Sequence, residues 1–126
     1  MKTKILIMLL AISLSNISLS QAISESNLIG NWRAEKTFKS GVNLVTELEV
    51  TSVHEFKGKG YIDDILIWTH EGTWKLNGND IIWIYTKSNI ELPDNFQDTD
   101  TIISVDKDKY TSKSHMSGNL TIHYRM

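Results

Sequence analysis

Residues 72–86 constrain the fold more than any other stretch of this 126-residue chain. Trp74, Leu76, Ile81, Trp83 and Tyr85 recur at the spacing that puts them on one face of two consecutive strands. Asn77-Gly78-Asn79-Asp80 between them supplies the turn. With a four-residue loop, Leu76 faces Ile81, Trp74 faces Trp83 and Gly72 faces Tyr85. A two-residue loop at Asn77-Gly78 pairs Trp74 with Ile81 instead. Both registers keep the five side chains together, so the apolar face does not depend on the turn. Cross-strand aromatic pairs add about 0.2–1 kcal/mol each.

The remaining segments also read as strands. In residues 42–50, Val42, Leu44, Thr46, Leu48 and Val50 share a face; Asn43, Glu47 and Glu49 point the other way, with Val45 the exception. Gly58-Lys59-Gly60 reads as a turn, followed by a strand over 61–69 that carries Ile65-Leu66-Ile67-Trp68. Residues 88–101 form a polar connection bending near Pro93-Asp94-Asn95. Short strands follow at 101–105, 109–116 and 120–126. In the last, Leu120, Ile122, Tyr124 and Met126 share one face and Thr121, His123 and Arg125 the other. An opening strand at 31–38 brings the total to seven or eight, and no ten-residue stretch shows helical periodicity. The pattern predicts an all-β antiparallel meander. Closure into an up-and-down β-barrel of about eight strands buries the apolar face and removes the edges; a two-sheet β-sandwich is the structural alternative.

Residues 1–22 read as a secretory signal peptide. Lys2 and Lys4 precede an apolar run over 5–14 that is too short to span a bilayer, and Ser20-Gln21-Ala22 offers a small-residue cleavage site. Cleavage is expected after Ala22, leaving a barrel domain at 23–126 that is secreted or periplasmic, with no further membrane span. That domain carries 11 basic and 15 acidic side chains, a formal charge of −4, which argues against nucleic acid as a partner. The chain has no Cys, which rules out disulfide staples, thiol catalysis and thiolate metal sites.

Leu28-Ile29-Gly30-Asn31-Trp32, Glu71-Gly72-Thr73-Trp74-Lys75-Leu76, Ile82-Trp83-Ile84-Tyr85, Asp100 before Ile102 and the closing Tyr124-Arg125 together resemble the lipocalin-like families, above all the small exported bacterial ones. The resemblance spans most of residues 23–126 through short motifs. It implies that Gly30 and Trp32 open the first strand, and that Trp32 packs at the closed end of the barrel under an Arg from a late strand, the position of Arg125. A guanidinium over an indole gains about 0.5–2 kcal/mol. The chain is short for a lipocalin and lacks the C-terminal helix, so the resemblance leaves the size of any cavity open.

Chemistry-bearing patterns are sparse. There is no Gly-x-Ser-x-Gly elbow, no His-Glu-x-x-His motif and no phosphate loop. His54, His70, His115 and His123 are scattered; His70 and Glu71 are neighbours but point to opposite faces of a strand, as do Asp63 and Asp64. His123 reads as solvated beside Arg125. Asp94, Asp98 and Asp100 read as solvated charge in the long connection, without a calcium-loop pattern. The aromatic residues carry the signal: Trp68, Trp74, Trp83 and Tyr85 line a pocket for an apolar or ring-bearing ligand, or else fill the core. The expectation is a non-catalytic carrier or sensor of a small hydrophobic molecule, with no cofactor and no metal. The alternative is a periplasmic protein-binding module, an inhibitor or immunity-type factor, with a side-chain-filled barrel and a contact surface at 88–100 that includes Phe96.

Overall fold

The structure, a computed structural model, describes residues 23–126; the expected signal peptide at 1–22 lies outside the described residues. A short 3-10 turn at Glu25–Asn27 leads into eight strands: β1 (Gly30–Thr37), β2 (Asn43–Val50), β3 (Glu55–Ile62), β4 (Ile65–Asn77), β5 (Asp80–Ser88), β6 (Gln97–Val105), β7 (Lys109–Ser114) and β8 (Leu120–Arg125). Each strand pairs antiparallel with its chain neighbours, and β8 returns to β1, closing an up-and-down barrel. The barrel, not the sandwich, is the architecture. Among the described residues no helix is long and apolar enough to cross a membrane.

In the β4–β5 hairpin Leu76 pairs with Ile81, Trp74 with Trp83 and Gly72 with Tyr85, the first of the two expected registers, but Asn77 also pairs with Asp80, so the loop is only Gly78-Asn79. Trp74 and Trp83 both point inward and are buried. They join Leu28, Trp32, Val50, Phe56, Ile81, Ile102 and Tyr110 in one core. Much of that core lies where 23–29 packs beneath the barrel, closing that end. Trp32 is fully buried and donates its indole N–H to the Leu28 carbonyl at 2.9 Å.

The seam between β1 and β8 is short, with only Trp32 opposite Arg125 and Arg33 opposite Tyr124. Side chains reinforce it. The Arg125 guanidinium lies 4.1 Å from the Trp32 ring centroid. It donates to the carbonyls of Lys107 (2.7 Å), Ile29 (2.9 Å) and Asn27 (3.3 Å). Gly30, at φ +139°, leaves room for the guanidinium where a Cβ would otherwise stand.

Three sequence expectations are corrected. Gly58-Lys59-Gly60 is not a turn but the middle of β3, and the chain reverses at Asp63-Asp64, between Ile62 and Ile65. Both Asp residues have positive φ (49° and 66°), which a two-residue hairpin requires and Asp tolerates better than most side chains. The glycines serve space instead: a Cβ on Gly60 would overlap the Trp68 indole. Second, the connection after β5 is shorter than 88–101, because β6 already begins at Gln97. Third, His123 is not solvated: β8 turns Thr121, His123 and Arg125 inward and leaves Leu120, Ile122, Tyr124 and Met126 exposed. Arg125 must face Trp32, and the period of two then carries His123 inside with it.

Replacing Arg125 by Lys keeps the charge but removes the planar fork and the stacking surface. Arg125→Lys is expected to lower stability by about 1–2 kcal/mol. The measurement is urea unfolding, with the circular dichroism of the folded state as control. An unchanged midpoint would mean that the backbone ladder alone holds the seam.

Candidate functional site

The strands alternate inward and outward residues, so the lumen composition follows from the register. Away from the closed end the lumen is not filled. A cavity of about 300 Å³ lies there, at the lower edge of the range for small-molecule sites. It sits toward the end bearing the β1–β2, β3–β4, β5–β6 and β7–β8 connections, because Lys36, Leu44, Trp68, Tyr85, Asp98 and Thr121 border it.

One wall is a chain of aromatic rings. Trp68 stacks on His70 with centroids 4.4 Å apart, and His70 meets Tyr85 edge-on at 5.1 Å. Tyr85 meets Phe56 at 5.3 Å, and Phe56 meets Trp83 at 5.0 Å. The wall has this depth because β3 and β4 contribute glycine where rings need room. Gly72 lies under Phe56, and a Cβ there would also overlap the Ile84 carbonyl. A register shift between Gly60 and Tyr61 sets Trp68 opposite Gly60. The facing wall is Tyr110 stacked on His123, centroids 4.2 Å apart, and His123 Nε2 lies 3.2 Å from the Ser112 hydroxyl.

Of the four aromatics singled out in the sequence, Trp68, Trp83 and Tyr85 border this cavity. Trp74 lies apart from it. Trp74 is buried in the closed-end core beside His54, with its indole N–H donated to the Thr51 carbonyl at 3.3 Å. Gly30, Trp32 and Arg125 likewise belong to the closed end and the seam. Phe96 packs edge-on against Tyr85 at 5.2 Å and is half-buried, but it does not line the cavity.

The polar part of the site departs from the sequence expectation. Asp98 and Asp100 are not solvated loop charges. They are alternate residues of β6, and both border the cavity. Asp100 Oδ2 accepts the Trp83 indole N–H at 2.9 Å. Asp98 Oδ1 is buried and has no hydrogen-bond partner among the described residues, an uncommon state for a buried oxygen. Burial pushes the Asp100 carboxyl up to about 6; the Trp83 hydrogen bond opposes the shift and the Asp98 charge adds to it. Burial likewise raises Asp98, against the Thr99 backbone N–H and the charge of His115. The same desolvation drives His123 down to about 4 and lowers His70, so His123 is neutral near pH 7. The signal available in the sequence was Asp98-Thr99-Asp100-Thr101-Ile102, whose period of two puts both acids on the face of Ile102.

No three His, Cys, Asp or Glu side chains converge to hold a metal ion among the described residues. Chemically, the arrangement offers flat apolar walls, two hydrogen-bond-accepting carboxylates and two largely neutral imidazoles.

The buried acids carry a stability cost with a definite pH dependence. Asp100 binds its proton up to about pH 6 when folded, but only up to about pH 4 when unfolded. Its ionisation therefore weakens the folded state as pH rises through that window, and the full cost applies above about pH 6. Asp100→Asn retains an acceptor for Trp83 and removes the charge. It is expected to raise stability by about 1–2 kcal/mol at pH 8, after allowance for partial solvent screening. The gain should shrink toward zero near pH 4. Urea unfolding at both pH values measures it; a gain as large at pH 4 as at pH 8 would contradict this account.

A scan against protein-family models finds no match for this chain, and a search of curated proteins finds none.

Proposed function

We propose that this chain is an exported, lipocalin-like binding protein, non-catalytic, that carries or senses a small ring-bearing molecule inside its barrel. The observation that carries the reading is the cavity of about 300 Å³, walled by Trp68, Trp83, Tyr85, Phe56 and Tyr110. Ring faces held apart around empty volume lose dispersion contacts that a filled core would make, and an inserted ring restores them. The lipocalin-like assignment draws on the short motifs read above together with the eight-stranded closed barrel and the Trp32–Arg125 stack. Export draws on the sequence of residues 1–22. The alternative, a protein-binding module, was framed around a barrel filled by its own side chains; the open lumen weighs against it.

The test is a titration of tryptophan emission with small ring-bearing probes, neutral, cationic and anionic. Trp68 and Trp83 both border the cavity, so a bound ring is expected to change emission saturably. Trp68→Ala, which removes one wall and leaves the closed-end core untouched, is expected to weaken binding by about tenfold. A flat response across all probes would overturn the reading.

A further inference from the structure

The cavity carries more information than its aromatic walls, because Asp98 and Asp100 border it and neither is in an ion pair among the described residues. Among the described residues the ion pairs are Arg33–Glu35, His54–Glu25 and His115–Asp80; none involves Asp98 or Asp100. Lys36 borders the cavity, but its Nζ lies 5.0 Å from the Phe38 ring centroid, over that ring. Asp100 has one side-chain partner, the Trp83 indole N–H, and Asp98 Oδ1 has none. Buried carboxylates are ordinarily paired or fully hydrogen-bonded. Here two acids two residues apart on β6 are left short of donors, beside empty volume.

Each class of ligand meets this site differently. An anion would face the unpaired carboxylates of Asp98 and Asp100. A wholly apolar molecule would displace water from both acids and return no hydrogen bond, leaving them unpaired. An ammonium group supplies three donors and a positive charge at once. Its positive end also suits the faces of Trp68, Trp83 and Tyr85, since indole and phenol rings attract cations. The volume, about 300 Å³, suits a small ligand.

We propose that the cavity binds a small organic amine in its protonated form, with Asp98 and Asp100 receiving the ammonium and the rings of Trp68, Trp83 and Tyr85 holding its apolar body. This inference rests on the ligand-binding reading above and narrows it to one chemical class. Binding is then linked to protons. The groups that share the cavity with the acids are Tyr85 and Trp83 from β5, His70 from β4, Tyr110 from β7 and His123 from β8, and the charge of His115 in the β7–β8 connection also acts on them. Glu35 and Lys36 from β1 and Glu47 from β2 border the same space. Raising the pH through about 6 ionises Asp100, while His123, held near 4, is already neutral and burial disfavours the charged form of His70, so these changes favour a bound cation. An alkylammonium keeps its proton across that range.

The experiment compares 2-phenylethylamine, 2-phenylethanol and 3-phenylpropionate on the full chain by tryptophan emission and calorimetry. The ammonium is expected to bind at least about tenfold more tightly than the alcohol near pH 7.5, and the carboxylate more weakly than either. Its advantage should fall as the pH is lowered to about 5. Asp98→Asn and Asp100→Asn should each lower the ratio of ammonium to alcohol affinity by about fivefold or more. Equal or tighter binding of the alcohol would overturn the amine assignment and leave the binding function standing. Absence of binding by all three would overturn both. If one Asn variant fails to fold, the other variant and the pH series on the parent chain decide the same question.

Discussion

The stack of Arg125 on Trp32 governs the rest of the molecule. An eight-stranded sheet gains from closure only if its first and last strands meet, and here they meet over two residue pairs. Arg125 adds three carbonyl hydrogen bonds and a ring contact to that short ladder. It ties β8 to the segment before β1 and to the β6–β7 connection. The carbonyls it engages include those of Asn27 and Ile29, flanking Leu28, so the same side chain holds the plug that closes one end. That end is sealed by Leu28, Trp32, Trp74 and Ile81, and the same core runs on to Phe56, Trp83 and Tyr110 at the floor of the cavity.

The seam also sets the character of the lumen. Because Arg125 faces inward, His123 and Thr121 do too, and β8 brings polar groups where its exposed Leu120, Ile122 and Tyr124 would have supplied apolar ones. Two carboxylates enter from β6. The desolvated acids lower the stability of the barrel near neutral pH. A barrel of this size can be filled with side chains. This one leaves volume beside its costliest buried groups, and Gly60 and Gly72 yield space to rings rather than filling it. Local conflict of that kind is what binding sites show where folding rules and function compete.

Much of the architecture was legible from local patterns. The Trp74–Trp83 pairing follows from the alternation on both arms of the hairpin, and β2 from Leu44, Leu48 and Val50. Legibility failed where one residue type serves two purposes. Glycine at 58 and 60 has the look of a turn, yet it accommodates the Trp68 indole. Asp63-Asp64 has the look of strand charge, yet its left-handed backbone makes the hairpin. Asp98 and Asp100 have the look of solvated loop, since acids inside a barrel run against the usual preference for burial. Trp68 and Trp83 could be assigned to the inner face, but their division from Trp74, cavity against core, depends on depth along the barrel axis.

Alternation and turn chemistry, both short-range, were enough to specify an all-β chain, its antiparallel order and the common face of its indoles and Tyr85. Those features arise from the period of two and from backbone preferences within a few residues. Which face of β8 turns inward, how far the lumen fills and which acids lose their water were decided only on closure. They depend on contacts between residues nearly a hundred positions apart, such as Arg125 with Ile29, and no local pattern encodes the depth at which a side chain comes to rest.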